Sequence, residues 1–125
     1  MALAGEPTVL VVDDEELMRD VLQIVVEENG GKVILAADGE EAVEIFSKRH
    51  GEIDCVFLDF SMPRMNGYDV YLKFQEINPS VGIIFSSGLK VPPEVEKLVS
   101  EGKVLFLKKP FPENDLIKAV SKVVS

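Results

Sequence analysis

The chain has 125 residues, a hydrophobic content of 46%, a charged content of 28% and a formal net charge of −9. This length suits one domain with a real core, and this balance of apolar and charged residues argues against disorder. The negative charge argues against nucleic-acid binding by this domain alone, and no apolar run approaches the ~18–20 residues of a membrane span.

The first seven residues, MALAGEP, lack the basic start and long apolar core of a secretory signal. We expect residues 1–7 to be a flexible lead-in and residues 8–125 to form the domain. Cys55 is the only cysteine, so no intramolecular disulfide can form. That fits a reducing compartment, and we expect a cytoplasmic protein with a buried, unreactive thiol.

Short apolar runs that are typical of strands alternate with longer segments whose apolar residues recur at helical spacing. Taken along the chain, the predicted pairs of strand and helix are TVLVV (Thr8–Val12) with EELMRDVLQIVVEENGG, KVILA (Lys32–Ala36) with DGEEAVEIFSKRHG, CVFLD (Cys55–Asp59) with GYDVYLKFQEINP, VGIIFSS (Val81–Ser87) with PPEVEKLVSEG, and VLFLK (Val104–Lys108) with PENDLIKAVSKVV. Asp38 is the predicted cap of the second helix. The residues with helical spacing are Leu17, Val21 and Val25 in the first helix, Ala42, Ile45 and Phe46 in the second, and Leu116, Val120 and Val123 in the last.

This alternation predicts an α/β fold, a single-domain (βα)5 arrangement with a doubly wound parallel five-stranded sheet. Strands that are almost continuously apolar should be covered by helices on both faces. In such open sheets, ligands bind beyond the carboxyl ends of the strands.

Polar residues follow four of the five predicted strands at that end. Asp13–Asp14 follow the first strand, Asp59 ends the third, Ser86–Ser87 end the fourth, and Lys108–Pro110 follow the fifth. Because the carboxyl ends of parallel strands meet at one rim, we expect carboxylates, a hydroxyl and a lysine to converge there.

Three close carboxylates repel one another, and they either share protons or bind a cation. There is no Cys/His cluster, and the single histidine, His50, is predicted to be solvated, so a hard ion such as Mg²⁺ is favoured over zinc. A carboxylate beside Mg²⁺, a lysine and a hydroxyl can attack a phosphoryl group and form an acyl phosphate.

The segments VLVVDDEELMR, LDFSMPRMNG, IIFSSG and LKKPF resemble, in this order, the motifs of the receiver domains of two-component response regulators. The match covers nearly the whole chain, and SSG and SMPRMNG are similar to receivers fused to hybrid histidine kinases. The resemblance implies that residues 8–125 are a receiver domain with the flavodoxin-like strand order 2-1-3-4-5.

Several site roles follow from the resemblance. It implies that Asp59 is the phosphoacceptor, that Asp14 binds Mg²⁺ directly with help from Asp13 through water, and that Ser61 lends its backbone carbonyl to the metal. Lys109 is expected to pair with Asp59 and then with the phosphoryl group.

The resemblance also implies a switch. Ser87 is the expected switch hydroxyl, with Ser86 as its competitor. Ser87 is preferred because a small residue follows the switch hydroxyl in the family, and Gly88 follows Ser87. Phe106 stands at the switch aromatic position, where many receivers have tyrosine. The Lys109–Pro110 bond is expected to be cis.

The implied function is a phosphorylation-dependent signalling switch rather than a turnover enzyme. It takes a phosphoryl group from a phosphohistidine of a sensor histidine kinase or phosphotransfer protein and changes the face formed by helix 4, strand 5 and helix 5. No membrane partner is expected, and a weak or phosphorylation-dependent homodimer is left open. Whether the domain stands alone or belongs to a larger chain is also open.

Other readings stay open at this point. A phosphohydrolase of the haloacid-dehalogenase type also uses an aspartyl phosphate, but it normally has a DxD pattern at the first strand. A degenerate receiver would serve only for docking. A flavin-binding protein of the same fold is disfavoured, because DDEE after the first strand would repel the flavin phosphate. Asp14 as a simple helix cap and Phe106 as an ordinary core residue are the plainer alternatives.

Overall fold

Strands and helices alternate along residues 3–124, the part of the chain that the computed structural model describes. The strands are β1 (Thr8–Val12), β2 (Lys32–Ala36), β3 (Cys55–Asp59), β4 (Gly82–Ser87) and β5 (Leu105–Lys108). The α-helices are α1 (Glu16–Glu28), α2 (Gly39–Arg49), α3 (Gly67–Ile77), α4 (Pro93–Ser100) and α5 (Glu113–Val124), with a 3-10 turn at His50–Glu52. Between residues 3 and 124, no helix combines the length and apolar character that a membrane span requires.

The strands form one parallel sheet in the order β2-β1-β3-β4-β5, which confirms the predicted fold and strand order. The register pairs Val12 with Leu58, Asp59 with Ser86, and Ser87 with Lys108. The carboxyl ends of four strands are therefore level, and the residues that follow them meet at one rim.

Each face of the sheet carries its own apolar core. On β3, Val56 and Leu58 belong to the core beneath α2, α3 and α4, whereas Cys55 and Phe57 belong to the core beneath α1 and α5. Successive side chains of a strand point to opposite faces, so β3 is buried on both faces of the sheet. Cys55 is fully buried, and burial raises the pKa of its thiol.

The predicted inward faces hold for α2 and α5 but not for α1. Val25 is buried as expected, whereas Leu17 is 77% exposed and Val21 is 45% exposed. The buried residues of α1 are Leu22, Val25 and Val26, because α1 has apolar residues on two sides and packs only one of them. A second apolar stripe of α1 is thus left on the surface.

The segment before β1 is anchored to the domain at Leu3 and Pro7, which are buried, whereas the residues between them are exposed. Leu3 is 4% exposed, and its N–H donates to the carbonyl of Asn29. A Cβ on Gly31 would lie 3.2 Å from Leu3 Cδ1 and 2.6 Å from Val26 Cγ1, so the small residue at the α1–β2 turn leaves room for Leu3. The flexibility predicted for residues 1–7 stays a prediction, and Met1 and Ala2 lie outside the described residues.

Candidate functional site

Asp13 lies buried at the end of β1 and is held by contacts on several sides. Its Oδ1 accepts from the N–H of Glu15 at 2.9 Å, and its own N–H donates to the carbonyl of Ala36 at 3.2 Å. Asp14, the next residue, is exposed. The carboxylate that accepts a hydrogen bond at the start of α1 is therefore that of Asp13, so the cap alternative for Asp14 is not supported.

Asp59 ends β3 and is 3% exposed. Its Oδ1 accepts from the N–H of Ser61 at 3.4 Å. The carboxylates of Asp13, Asp14 and Asp59 each offer an oxygen within 4.8 Å of the others, so this acidic cluster could hold a metal ion. The backbone carbonyl of Ser61 stays a predicted ligand.

The loop after Asp59 turns back so closely that the first residue of α3, Gly67, must be small. A Cβ on Gly67 would lie 2.8 Å from the Asp59 carbonyl oxygen and 2.8 Å from the Phe60 Cα. The N–H of Gly67 donates to the Phe60 carbonyl at 2.9 Å, and Asn66 caps α3 by accepting from the N–H of Asp69. Close backbone approach, rather than a positive φ, is the reason for glycine at this position.

Lys109 brings a cation to the acidic cluster from the end of β5. Its Nζ lies 2.9 Å from Asp13 Oδ2 and 3.5 Å from Asp59 Oδ1, and its side chain is 14% exposed. The stronger contact is therefore with Asp13, whereas the resemblance implied a pair with Asp59. The Lys109–Pro110 bond is cis, which is the isomer that the resemblance implied.

Burial and like charge act together on Asp59. Burial is the largest influence and raises the pKa of Asp59, and the nearby Asp13 raises it further, while Lys109 and the Ser61 N–H lower it, so that the pKa is about 7. Burial lowers the pKa of Lys109, but the hydrogen bond to Asp13 and the charges of Asp59 and Asp13 outweigh it and raise that pKa overall. A cation bound to the cluster would therefore favour the loss of the proton from Asp59.

The two serines at the end of β4 use their hydroxyls differently. Ser87 is 1% exposed, and its Oγ accepts from the N–H of Leu89 at 3.0 Å. Ser86 is fully buried, and its Oγ donates to the carbonyl of Leu107 on β5 at 2.8 Å. The hydroxyl proton of Ser87 serves no hydrogen bond within residues 3–124, so Ser87 is the one with a donor to spare.

Phe106 lies on β5 and pairs in register with Phe85 of β4. It is half-buried against the core beneath α2, α3 and α4, to which Phe85 also belongs. Side chains two apart on a strand share a face, so Ser87 lies on this same face. Ser87 and Phe106 therefore lie on the side of the sheet that α4 covers.

Sequence reasoning missed three features near the site. Arg19 of α1 donates from Nη1 to the Asp13 carbonyl at 2.8 Å, Ser86 ties β4 to β5, and an apolar groove of about 120 Å³ lies between α1 and α5. The groove is lined by Met18, Val21, Leu22, Val25, Pro110, Phe111, Glu113 and Leu116. The one sequence feature that could have indicated this groove is the second apolar stripe of α1, which is not needed for the core.

Comparison with known proteins gives one consistent result. The sequence model of the "Response regulator receiver domain" family matches residues 9–121. The chain is 34% identical to the chemotaxis protein CheY of Thermotoga maritima over 116 residues, which are 92% of this chain and 95% of that protein. It is 39% identical over 82 residues to the autoinducer 1 sensor kinase/phosphatase LuxN of Vibrio campbellii, which are 66% of this chain but 9% of that protein.

A solved structure gives the same answer. The crystal structure of the CheX–CheY–BeF3–Mg²⁺ complex from Borrelia burgdorferi is similar with a TM-score of 0.86 and 30% sequence identity, and the match covers 95% of this chain and 90% of that chain. A sequence match over most of the chain and a shared fold with acidic residues at the rim lead to one assignment. The chain belongs to the response regulator receiver domain family.

Proposed function

We propose that this domain is a phosphorylation-dependent switch of a two-component system, with Asp59 as the phosphoacceptor. The observation that carries the proposal is that Asp13, Asp59 and Lys109, from three different strands, meet within 3.5 Å of the lysine Nζ. A carboxylate with a cation beside it and a second acidic residue next to it suits phosphoryl transfer, which a phosphohydrolase could also use. Membership of the receiver family supports a self-modifying switch over such an enzyme.

The chemical step is a displacement at phosphorus. An Oδ of deprotonated Asp59 forms a bond to phosphorus, and the bond between phosphorus and the ring nitrogen of the donor phosphohistidine breaks. The ring nitrogen leaves with the electron pair and takes a proton from solvent. Lys109 stabilises charge on the transferred phosphoryl oxygens, and its contact with Asp13 holds it in place.

The acidic cluster fits Mg²⁺, because its donors are carboxylate oxygens within 4.8 Å of one another and Asp14 is exposed to accept an ion from solvent. Asp13, Asp14, Asp59 and the Ser61 carbonyl would hold it. When bound, Mg²⁺ supplies positive charge that offsets repulsion between the carboxylates and the incoming phosphoryl group.

The response would begin at Ser87. Its free hydroxyl proton can donate to a phosphoryl oxygen on Asp59, since the Leu89 N–H contact uses the hydroxyl only as an acceptor. Movement of Ser87 would vacate space on the face that Phe106 shares, and the ring can turn inward. The surface of α4, β5 and α5 is then the output face.

The partner must place a phosphohistidine at Asp59, so it must contact the surface around the rim. The exposed stripe of α1, formed by Leu17, Val21 and Ile24, begins three residues after Asp14, and the groove that Val21 also lines includes Pro110, the residue after Lys109. This apolar surface is therefore connected to the site through the start of α1 and through the Lys109–Pro110 bond. We assign it to the phosphohistidine-carrying domain of a sensor histidine kinase or phosphotransfer protein.

Phosphorylation by acetyl phosphate with Mg²⁺, read by intact mass, tests the acceptor. We expect one phosphoryl adduct in the wild type and none in Asp59→Asn. Asp69→Asn, which changes an exposed carboxylate on α3, should keep the adduct. An adduct that survives in Asp59→Asn would refute the assignment.

Docking is tested by comparing two donors. Leu17→Ser should slow transfer from a purified phosphorylated histidine phosphotransfer protein that is active on the wild type, but not phosphorylation by acetyl phosphate. Leu72→Ser is the matched control, because Leu72 is 44% exposed on α3, away from the stripe. Equal slowing by both substitutions would argue against the α1 surface.

A further inference from the structure

Lys109 reaches the acidic cluster from the least supported strand of the sheet. β5 is an edge strand of four residues with β4 as its single neighbour in the sheet. Asp13 and Asp59, in contrast, lie at the ends of β1 and β3, which have neighbours on both sides. The contact of 2.9 Å between Lys109 and Asp13 therefore depends on how firmly the end of β5 is attached to β4.

Two hydrogen bonds reinforce the pairing of β4 and β5 at the rim, beyond the strand ladder that ends at Ser87 and Lys108. The Lys109 N–H donates to the Ser87 carbonyl at 2.9 Å, and the Ser86 hydroxyl donates to the Leu107 carbonyl at 2.8 Å. Leu107 is two residues before Lys109, so the hydroxyl holds the backbone from which the lysine projects. Of the two bonds, the one from Ser86 is the one that a side-chain substitution can remove.

The position of Ser86 would otherwise suit an apolar residue. Ile84 and Phe85, which precede it on β4, are fully buried, and so is Ser86. Burying a hydroxyl costs free energy unless it is hydrogen-bonded, so a hydroxyl here holds its bond to Leu107 firmly. Ser86 also pairs in register with both Asp59 on β3 and Leu107 on β5, so it lies between the strand of the nucleophile and the strand of the lysine.

We propose that Ser86 is a positioning residue, whose hydroxyl fixes the end of β5 so that Lys109 stays within reach of Asp13 and Asp59. The effect on phosphorylation rests on the proposed function, whereas the effect on the position of Lys109 does not. Ser86 does not touch the reacting atoms and acts only through the lysine.

The first test is the rate of phosphorylation by acetyl phosphate. Ser86→Ala should lower this rate roughly tenfold, since a misplacement of about 1 Å can cost 10²-fold and a lost tether moves the lysine by less. Mg²⁺ binding, measured by calorimetry, should be retained, because the carboxylates lie on other strands. Ser47→Ala is the matched control: Ser47 Oγ donates to the Val43 carbonyl at 2.8 Å on the exposed side of α2, and its loss should leave the rate unchanged.

A pair of isosteric variants isolates the hydroxyl. Ser86→Thr keeps the donor and Ser86→Val replaces it with a methyl group of the same shape, so Ser86→Thr should be the faster of the two. Equal rates in a folded pair would overturn the proposal, because only shape would then matter.

A double-mutant cycle tests whether Ser86 acts through Lys109. In a Lys109→Ala background, Ser86→Ala should cause no further loss of rate, because the residue that it positions is gone. A second tenfold loss in that background would overturn the proposal and show a general structural role. This cycle decides the matter even if the larger side chains at position 86 prevent folding.

Amide hydrogen exchange separates this inference from the proposed function. Exchange of the Lys109 N–H should be faster in Ser86→Ala than in the wild type, with the amides of β1 unchanged. If the wild type takes up no phosphoryl group but this exchange difference is present, the proposed function fails and the tether stands. Wild-type exchange at Lys109 in Ser86→Ala would overturn the tether, whatever the phosphorylation result.

Discussion

The two halves of the rim differ in how firmly their residues are held. The acidic half lies at the ends of β1 and β3, and every residue of β3 is buried. The responding half runs from the buried end of β4 to β5 and α4, where β5 is only partly buried and Val95 is the one buried residue of α4. Burial of apolar surface resists local opening, so the proposed nucleophile Asp59 lies on the firm half and the proposed output face on the looser one.

The largest expected effect comes from breaking the firm half at Gly67. Gly67→Ala would place a Cβ 2.8 Å from backbone atoms of both Asp59 and Phe60, which cannot move aside as a side chain would. We expect a loss of about 2–3 kcal/mol in the free energy of unfolding, although alanine favours a helix, and a strong loss of phosphorylation. Urea denaturation and the acetyl phosphate assay measure the two effects.

Gly88→Ala provides the control on the looser half. A Cβ at Gly88 would meet no atom within 4 Å, so we expect a change of less than about 0.5 kcal/mol. Similar losses for Gly67→Ala and Gly88→Ala would mean that the two halves are equally constrained.

The next effect is a pH dependence that originates in the acidic half. The pKa of Asp59 is about 7 in the folded protein, against about 3.9 in an unfolded chain. Between these values the folded state keeps a proton that the unfolded state has lost, so metal-free stability should fall as pH rises from about 4 through 7. The expected loss is on the order of 1 kcal/mol or more, or roughly 3–5 °C in Tm.

Thermal denaturation in EDTA across this pH range measures that loss. The slope should be smaller in Asp59→Asn, and Mg²⁺ should restore stability at pH 8 in the wild type by binding the folded state. A slope that is the same in Asp59→Asn would assign the pH dependence to other groups.

A smaller effect separates the two aspartates of β1. Asp14 is exposed and adds negative charge to the cluster, whereas Asp13 is buried and binds Lys109. Asp14→Ala should therefore raise the metal-free Tm by a few degrees, corresponding to roughly 0.5–1 kcal/mol, and abolish the stabilisation by Mg²⁺. Equal Mg²⁺ stabilisation in Asp14→Ala and the wild type would count against Asp14 as a ligand.

The smallest expected effect lies in the looser half and is one of transmission. Ser87→Ala should still accept phosphate at Asp59, because nucleophile and metal ligands are unchanged. With beryllofluoride, wild-type amide shifts in residues 104–108 and in α5 should be lost in this variant. If Ser87→Ala shows the wild-type shifts, Ser87 and Phe106 are not the relay, and Phe106 is an ordinary core residue.

The sequence was most informative where one strong pattern decides the outcome. Continuous apolar runs such as Cys55–Asp59 predict strands buried on both faces, and Asp38 caps α2 as expected, accepting from the Glu41 N–H. The convergence of Asp13, Asp59 and Lys109 followed from the parallel sheet alone.

Contacts that depend on side-chain direction were not predictable. The sequence could not say that Lys109 would lie nearer to Asp13 than to Asp59, because both carboxylates are within its reach. Nor could it say which apolar side of α1 faces the sheet, since Leu17 and Leu22 are equally suited to burial. Leu3 was missed because one apolar residue gives no periodicity.

The burial of Cys55 has a practical consequence for following the switch. Its thiol is fully buried and its raised pKa leaves almost no thiolate at neutral pH, so thiol reagents should not label the native protein. A cysteine introduced on the surface, for example at Ser100 on α4 together with one at Ser47 on α2, would carry probes without removal of the native residue. Distances between such labels, measured in single molecules, could then test whether α4 moves relative to α2 on phosphorylation.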